Sequence, residues 1–366
     1  MTFLINASNL KNGGGLQVAQ SICGQVGRFK DFTFILVLSS SINDNQIEYT
    51  ENVLVYRYNI SHSLKTIILG RDAFLDDLVA NMRVDAVLTV FGPSLWRPRV
   101  PHLCGFARAQ LLLSDSPYYR RLSIRERFTF KLWAWAFRRS SNYFFTESVF
   151  ISDKLLQLIK GAKVYTVTNY YNQVFDHPEL WQKKIQLPLF EGTTVLTISS
   201  TAAHKNLGIM VPMAEYLESV HPDFKFRFVL TCSMPPFQLP NQLKSHFVFI
   251  GKVDVSECPN LYEQANIMFM PTLMECFTAT YPEAMRMQVP IVTTDLDFAR
   301  GLCGEAAYYY SAVDAKSAAE SIYEVATNET IRSLLTANGK EQLKKYDNYE
   351  QRANKLMAIL VEIATK

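Results

Sequence analysis

At 366 residues the chain is long for a single hydrophobic core, and 48% apolar against 19% charged residues excludes a disordered protein. A net charge of +3 is too small to suggest general nucleic-acid binding, so no nucleic-acid partner is expected. No apolar run approaches the roughly 18 residues that a membrane-spanning helix needs.

The first half alternates strand-like and helix-like segments. The predicted strands are Thr2–Asn6, Phe32–Leu38, Val53–Tyr56, Ala86–Val90, Tyr143–Thr146 and Lys163–Val167, and the predicted helices include Leu16–Val26 and Asp72–Met82. Because apolar strands separated by helices of about ten residues favour parallel pairing, this half predicts an α/β unit with a doubly wound parallel sheet.

The same pattern restarts after residue 192. Strands are predicted at Thr194–Ile198, Lys225–Leu230, Phe247–Ile250, Ile267–Met270 and Ile291–Thr294, with a helix at Leu207–Val220. Residues 169–191 contain two prolines and lack periodicity, which indicates a linker. We therefore predict Rossmann-like domains over 1–168 and 192–345, a linker over 169–191, a C-terminal helix over 346–366, and a ligand site in the cleft between the carboxyl ends of the two sheets.

The cysteines and the first residues bear on the compartment. Six cysteines are scattered along the chain without a C-x-x-C pair or a zinc-binding spacing, which is typical of reduced, mostly buried thiols. The opening MTFLINASNL has no basic region and only a short apolar run, so it predicts a strand and not a signal peptide. The sequence predicts a soluble cytoplasmic protein that can still touch a membrane.

Two loops carry candidate anion-binding groups. After the first strand, Gly13, Gly14 and Gly15 let backbone N–H groups approach a negative group, and the following helix directs its positive end the same way. A flexible turn explains this loop equally well, because it is not G-x-G-x-x-G. In the second half Lys205 lies just ahead of a helix, where it can share a diphosphate with backbone N–H groups, although a solvated lysine is the commoner case.

Two glutamates, Glu275 and Glu283, are separated by seven residues. The stretch Thr280-Tyr-Pro-Glu283 fits a capping box, which predicts that Glu283 lies in the first turn of a helix. A carboxylate there can also accept two hydrogen bonds from the vicinal diol of a ribose. Glu275, on the preceding loop, can bind sugar hydroxyls or stabilise a cationic transition state, and the alternative is an ordinary surface acid.

The order of these motifs resembles that of the family-4 retaining glycosyltransferases, which are group 1 enzymes of the two-domain GT-B architecture. The matches are His204-Lys-Asn-Leu207, Leu261-Tyr-Glu-Gln-Ala265, Met270-Pro-Thr272, the E-x7-E pair, Val289-Pro-Ile-Val-Thr-Thr294 and Cys303-Gly-Glu-Ala-Ala-Tyr308. A lone E-x7-E is common, whereas six matches in order are not. The resemblance implies two Rossmann-like domains facing across a cleft, with the C-terminal helix crossing back to the first.

The resemblance also implies roles for single residues. Glu283 would hold the nucleotide ribose, Lys205 would bind and stabilise the leaving diphosphate, and Glu275 would contact the transferred sugar. The further donor contacts that it implies are the backbone amides near Phe277, Thr278 and Ala279, the three glycines Gly13, Gly14 and Gly15, and Val253 beside the base.

The chain departs from the family pattern at three places. Many relatives carry an arginine shortly before the lysine, where this chain has Ser199-Ser-Thr201, so a diphosphate cation is missing or supplied elsewhere. The usual glycine after the phenylalanine is Thr278. The family's histidine near the donor sugar has no clean match, and His102 is the candidate.

The reaction implied by the resemblance is transfer of a sugar from a nucleotide-diphosphate sugar to an acceptor hydroxyl, with retention at the anomeric carbon. The stretch Asp295-Leu-Asp297 is like the metal-binding D-x-D of other glycosyltransferases, but it lies where relatives have a variable loop, so we expect no metal and no other cofactor. A nucleotide-sugar epimerase of the same fold and a non-catalytic nucleotide-sugar or glycan-binding protein stay open. An NAD-dependent dehydrogenase is poorly supported, because neither half has G-x-G-x-x-G.

A basic aromatic stretch spans residues 118–139, with seven basic residues against one acid. Its candidate membrane or acceptor surface comprises Arg120, Arg121, Trp133, Trp135, Arg138 and Arg139. Cations beside tryptophans suit a surface that lies on anionic lipid, and a helix with a solvated basic face is the alternative. Since many family members extend a glycan on a polyprenyl-diphosphate lipid, the resemblance implies such an acceptor and a peripheral position at the inner face of the cell membrane.

Overall fold

The computed structural model describes residues 1–11, 13–43, 47, 49–61, 64–93 and 95–366, with the backbone alone at 64, 65 and 67. The chain divides into two compact units. The first comprises Met1–Ser114, Leu122–Asn169 and Asp347–Lys366, and the second comprises Asp115–Arg121 and Tyr170–Tyr346.

The first unit is built on parallel strands that are mostly buried. They are β1 (Thr2–Ala7), β2 (Thr33–Leu38), β3 (Val53–Arg57), β4 (Ala86–Thr89), β5 (His102–Gly105), β6 (Tyr143–Thr146) and β7 (Lys163–Thr166). Across the described ranges these seven strands form one sheet in the order β3-β2-β1-β4-β5-β6-β7. The strand order reverses at β1 and β4, which confirms the predicted doubly wound sheet.

The helices of the first half are α1 (Gly14–Cys23), α2 (Leu64–Leu69), α3 (Ala73–Asn81), α4 (Pro117–Arg120), α5 (Ile124–Arg138) and α6 (Val149–Leu158), of which α4 belongs to the second unit. Helices α3 to α6 begin at side-chain caps. Asp72 is the cap of α3, since its carboxylate accepts the Leu75 N–H, so this helix begins one residue later than predicted. Ser123 and Glu126 form a capping box that starts α5.

The second unit repeats the same topology. Its strands are β8 (Thr193–Thr197), β9 (Phe226–Leu230), β10 (Phe247–Phe249), β11 (Ile267–Met270), β12 (Ile291–Thr294) and β13 (Ala307–Tyr310), all parallel in the order β10-β9-β8-β11-β12-β13. Its further helices are α7 (Met210–Val220), α8 (Cys258–Glu263), α9 (Thr280–Arg286), α10 (Asp297–Cys303), α11 (Ala315–Thr327) and α12 (Glu329–Leu343). The edge strand β13 is missing from the predicted set.

The last helix, α13 (Tyr349–Ala364), returns to the first unit. Its Leu356, Leu360 and Ile363 are buried in the same core as the apolar residues of β1 and β4, which confirms the predicted return. Residues 170–191, predicted as linker, pack on the second unit instead: the Gln182 N–H donates to the Ser256 carbonyl, at 2.8 Å. Within the described residues, no helix is both long enough and apolar enough to cross a membrane.

Candidate functional site

Lys205 and Glu275 form an ion pair in the second unit. Lys205 ends a short 3-10 helix, Ala203–Lys205, on the loop after β8, and Glu275 lies on the loop after β11. Because β8 and β11 are neighbouring parallel strands, the loops that follow them meet at one edge of the sheet. The two side chains are 13% and 12% exposed, so both are largely buried but still reach the solvent at this edge.

Hydrogen bonds within and between the two loops hold this pair in place. The Thr272 hydroxyl donates to Oε1 of Glu275 at 2.9 Å within the loop after β11, and the Leu273 N–H of that loop donates to the His204 carbonyl of the other loop at 2.8 Å. Asn206, next to the lysine, has a left-handed backbone with φ of 51°, which turns the chain toward α7. The residue before the lysine is therefore bonded to the loop that carries Glu275, so the two loops are joined by more than the ion pair.

His204 adds an imidazole to the same cluster. Its Nε2 lies 4.0 Å from Oε1 of Glu275. Burial lowers the pKa of His204 more than the nearby Glu275 raises it, and the Lys205 ammonium lowers it further. The ring is therefore neutral at pH 7 and offers one donor and one acceptor nitrogen.

The segment Asp115–Arg121 packs against both loops and was not predicted as part of this site. The Ser116 hydroxyl donates to the Leu273 carbonyl at 2.7 Å, and the Tyr118 ring lies 5.8 Å from the His204 ring. Nη1 of Arg121 donates to Oδ1 of Asn206 at 3.2 Å. This contact brings a guanidinium to the loop that carries Lys205. The chain has Ser199-Ser-Thr201 where many relatives carry an arginine shortly before the lysine, so Arg121 is a cation at this loop from another segment.

Glu283 lies in the first turn of α9, as predicted, and its carboxyl points into the protein. The Tyr262 hydroxyl donates to Oε2 of Glu283 at 3.1 Å, and the residue is 6% exposed. Burial raises the pKa of Glu283 to about 7, and the bond from Tyr262 offsets only part of that effect. A ligand whose hydroxyls donate to this carboxyl would favour its ionised form.

The predicted capping box at Thr280 is wrong. The N-cap residue of α9 is Ala279, no side chain caps the helix, and the Thr280 hydroxyl bonds the Thr278 hydroxyl at 2.7 Å. The reason is that the Glu283 carboxyl bonds Tyr262 and does not turn back toward the start of the helix. The sequence gives no signal for this partner, because Tyr262 is 21 residues away.

The other predicted donor contacts of the second unit lie on two loops of this sheet. Phe277, Thr278 and Ala279 are half-buried between the two glutamates, and the Phe277 ring lies 6.0 Å from the Tyr346 ring. Val253 is half-buried on the loop after β10. Lys205, Val253 and Glu275 therefore all follow the carboxyl ends of strands, where open α/β sheets bind ligands. Contact of Val253 with a base stays a prediction.

The glycine loop lies at the corresponding edge of the first unit. Gly13 has φ of 74° and precedes α1, a backbone that favours glycine. No atom of the described residues lies within 4 Å of the position that a Cβ would take at Gly13 or Gly14, whereas Gly15 packs on Leu10. Asn12, part of the predicted loop, lies outside the described residues. The open loop fits an approaching anion, and this role stays a prediction.

His102 is a core residue. It lies on β5 with 5% exposure, its Nε2 is 2.9 Å from the Thr89 hydroxyl, and its Nδ1 is 3.0 Å from the Ser140 carbonyl. Burial lowers the pKa of His102 to about 4, so the ring is neutral. Both ring nitrogens are engaged inside the sheet, which corrects the expectation that His102 contacts a donor sugar.

The remaining predicted residues are divided between the units. Arg120 and Arg121 belong to the second unit, whereas Trp133, Trp135, Arg138 and Arg139 lie on α5 or at its end in the first. Trp133 is half-buried, with the Arg108 guanidinium 4.8 Å from its ring centre. Asp295, of the rejected metal motif, accepts two hydrogen bonds from Arg300 at 2.7 and 3.0 Å, which lower its pKa.

Comparisons with known proteins agree with the fold and the motif order. Residues 192–328 match the model of the family described as glycosyl transferases group 1. The phosphatidyl-myo-inositol mannosyltransferase of Mycobacterium leprae is 28% identical over 126 residues, which are 34% of this chain and 33% of that protein. The alignment thus spans about a third of the length of this curated relative.

Solved structures resemble the whole chain. The sucrose-phosphate synthase of Thermosynechococcus elongatus superposes with a TM-score of 0.72 at 14% identity, over 100% of this chain and 99% of that one. The Anabaena protein HepE, in complex with UDP and glucose, superposes with a TM-score of 0.65 at 11% identity, over 98% and 99% of the two chains. The two Rossmann-like units define a GT-B protein. Within that class, the second half of the chain is similar to the group 1 glycosyltransferases over residues 192–328.

Proposed function

We propose that this protein is a retaining glycosyltransferase of family 4, which moves a sugar from a nucleotide-diphosphate sugar to an acceptor hydroxyl. The observation that carries the proposal is the ion pair of Lys205 and Glu275 at the carboxyl edge of the second sheet, with the buried Glu283 on the helix that follows. The bound UDP of the Anabaena structure supports a nucleotide donor for proteins of this fold.

The donor would exchange partners with the ion pair. A diphosphate that binds Lys205 competes with Glu275 for the ammonium group, and this exchange frees Glu275 oxygens for the hydroxyls of the transferred sugar. The departing diphosphate gains negative charge as the reaction proceeds, so Lys205 stabilises the transition state more than the ground state. Glu283 accepts hydrogen bonds from the ribose diol, and its Oε2 keeps the bond from the Tyr262 hydroxyl.

Retention follows from attack on the face that the diphosphate leaves. The bond from the acceptor oxygen to the anomeric carbon forms as the bond to the diphosphate breaks, and the acceptor proton passes to a phosphate oxygen. The alternative, a covalent intermediate, needs a carboxylate nucleophile on the face opposite the diphosphate, and this proposal assigns Glu275 to the sugar hydroxyls instead. No metal or other cofactor takes part in this proposal.

For the acceptor, we propose a lipid-linked glycan in surface polysaccharide assembly, used at the inner face of the cell membrane. The name of the mycobacterial relative, a phosphatidyl-myo-inositol mannosyltransferase, supports a lipid-bearing acceptor. The basic aromatic helix α5 supports a position at a membrane. The six cysteines are all buried thiols, which fits a reducing compartment.

A thermal-shift screen of UDP-, GDP-, ADP- and dTDP-sugars tests the donor proposal. A ligand at about 100 times its Kd adds about 2.7 kcal/mol to the stability of the state that binds it. We expect one nucleotide series to raise Tm in the wild type, and a smaller shift in Glu283→Ala. A screen in which no nucleotide sugar raises Tm would refute the proposal.

Product analysis then separates the transferase from its two alternatives, an epimerase and a binding protein. An epimerase of the same fold converts the sugar of the donor without any acceptor, whereas a transferase needs the acceptor and retains the anomeric configuration of the donor in the new linkage. If the protein only binds the nucleotide sugar, the ligand raises its Tm, and no product forms with or without an acceptor. The anomeric configuration, read by NMR, decides between retention and inversion.

A further inference from the structure

Helix α5 carries a ridge of exposed apolar side chains. Ile124, Phe128, Leu132 and Trp135 are 86%, 61%, 53% and 46% exposed. Isolated exposed apolar residues are common on protein surfaces, but four large ones on consecutive turns of one helix form a patch, and such patches mark interaction sites.

The spacing of these residues makes the ridge continuous. At about 100° per residue, positions 124, 128, 132 and 135 fall within an arc of about 80°. The opposite face of the helix packs on the first unit, where Phe137 is fully buried and Phe130 and Trp133 are half-buried. The helix is therefore anchored by one face while the ridge points outward.

Cations line both sides of the ridge. Arg125 follows it on one side, and Lys131 and Arg138 follow it on the other, all exposed. The Arg139 guanidinium lies 4.5 Å from the centre of the Trp135 ring, at the end of the ridge. The one acid of the helix, Glu126, is bonded to the capping residue Ser123.

We propose that α5 docks on an anionic membrane surface, with Phe128, Leu132 and Trp135 inserted at the level of the acyl chains and Arg125 and Lys131 against the headgroups. An apolar stripe flanked by cations is the arrangement with which an amphipathic helix lies in the bilayer interface. In an anionic membrane the acyl chains can bury the apolar ridge, and the negative headgroups can pair with the flanking cations. A second copy of this chain would bring like charges together, because the same cations would flank the facing ridge.

The proposal deepens the proposed function, since it names the surface that would bring the enzyme to a lipid-linked acceptor. Vesicle binding is measured without donor or acceptor, so failure of this inference and failure of the transferase proposal are distinguishable. The ridge differs from the surface predicted from the sequence, because Arg120 and Arg121 belong to the second unit and Trp133 is half-buried.

Co-sedimentation with vesicles tests the ridge. We expect the wild type to bind phosphatidylglycerol–phosphatidylcholine vesicles at low salt, and to bind phosphatidylcholine vesicles at least about tenfold more weakly, because the cations lose their partners. The triple variant Phe128→Ser, Leu132→Ser, Trp135→Ser should bind the anionic vesicles at least about tenfold more weakly than the wild type. The matched control is Val149→Ser, Leu156→Ser, since these residues of α6 are 63% and 43% exposed, and it should bind like the wild type.

A fluorescence measurement tests insertion without relying on the triple variant. Vesicles with brominated acyl chains should quench the wild type, and Trp135→Phe, which keeps the ridge apolar, should bind equally well but lose most of that quenching. The proposal is overturned if the wild type ignores anionic vesicles at low salt, or if the folded triple variant binds them unchanged. A wild-type dimer that the triple variant converts to a monomer would assign the ridge to a second copy and equally overturn it.

Discussion

Glu283 is deeply buried, and the ribose contact that we propose for it needs its charge. Burial raises the pKa of its carboxyl to about 7, which favours the protonated form more than in an exposed glutamate. A ribose diol donates hydrogen bonds and so prefers the ionised form. Nucleotide binding should therefore release a proton from Glu283.

We predict that nucleotide affinity falls as the pH drops below about 7, by at most about tenfold per pH unit. Isothermal titration calorimetry between pH 5.5 and 8, with the nucleotide that the screen selects, measures this slope. In Glu283→Gln the slope should disappear and the affinity at pH 8 should fall. The control Glu263→Gln changes an exposed carboxylate of the same unit and should keep the wild-type profile. A slope that survives in Glu283→Gln would assign the proton to another group.

Lys205 should act on turnover. We predict that Lys205→Ala lowers kcat tenfold or more, which corresponds to at least about 1.4 kcal/mol of lost transition-state stabilisation. Initial rates at saturating donor measure it. Lys244→Ala, which removes an exposed lysine of the same unit, is the matched control. Wild-type turnover in the Lys205 variant would remove the lysine from the mechanism.

At the scale of elements, α13 is held to the first unit by a buried charge as well as by its apolar face. Arg352 is 4% exposed, and its guanidinium donates to the side chains of Asn169 and Ser21. Glu147, at the end of β6, is also buried, and burial raises its pKa to about 7 while Arg352 and Asn169 lower it. The positive charge of Arg352 and the negative charge of Glu147 thus favour each other in the interior of the first unit.

Removal of one partner should cost more than removal of both charges. We predict that Arg352→Ala lowers the free energy of unfolding of the first unit at pH 8 by about 1–3 kcal/mol, because Asn169 and Ser21 lose a buried hydrogen-bond donor and the positive charge near Glu147 is removed. Glu147→Gln in the same chain should restore part of that loss. Urea denaturation followed by tryptophan fluorescence measures this, since Trp96, Trp133 and Trp135 belong to the first unit.

The pH dependence of that loss has a definite sign. The folded-state pKa of Glu147 lies above its ordinary value, so the neutral carboxyl stabilises the fold below about pH 4.5, and this contribution is lost as the pH rises to about 7. The loss caused by Arg352→Ala should therefore be smaller at pH 5 than at pH 8. Glu350→Gln, which removes an exposed ion pair of α13 with Arg28, should cost less than about 1 kcal/mol at either pH. An equal loss at both pH values would show that the pair contributes only packing.

The elements show why some features could be predicted from the sequence. Strands such as β2 and β11 are buried on both faces, so they form continuous apolar runs that local pattern alone reveals. The tyrosine-rich edge strand β13 lacks such a run and was missed. Motif order selects Lys205, Glu275 and Glu283, since they follow recognisable strands, and their roles stay predictions.

Contacts between distant residues could not be predicted in this way. Ser116 bonds Leu273 across 157 positions, so nothing near residue 116 marks Asp115–Arg121 as part of the second unit. His102 was the candidate for the family's histidine near the donor sugar, whereas its environment is set by Thr89 and Ser140 on other elements. Local pattern identifies elements and loops, and tertiary packing decides which side chains meet.

At the scale of the whole molecule, each of the two sheets carries one of the loops that we predict to bind an anion. The glycine loop follows β1 and the lysine loop follows β8, the strands at which the order of each sheet reverses. The second unit adds Arg121 beside the lysine loop, from a segment of the first half of the chain. Within the second unit, Lys205 and Arg121 are the cations that we propose to stabilise the diphosphate without a metal ion.

The last prediction concerns whether a metal ion is needed in addition to these cations. In metal-dependent glycosyl transfer, carboxylates hold a divalent cation against the diphosphate, and the candidate Asp295 accepts two hydrogen bonds from Arg300 instead. We therefore predict that transfer proceeds at an unchanged rate in excess EDTA, and that Asp295→Asn leaves kcat unaltered. The assay compares initial rates in EDTA, in EDTA with excess Mn²⁺, and without either, for the wild type and Asp295→Asn. Complete loss of activity in EDTA, restored by Mn²⁺ in the wild type but not in the variant, would make Asp295 a metal ligand and reassign the stabilisation of the leaving group from Lys205 to the ion.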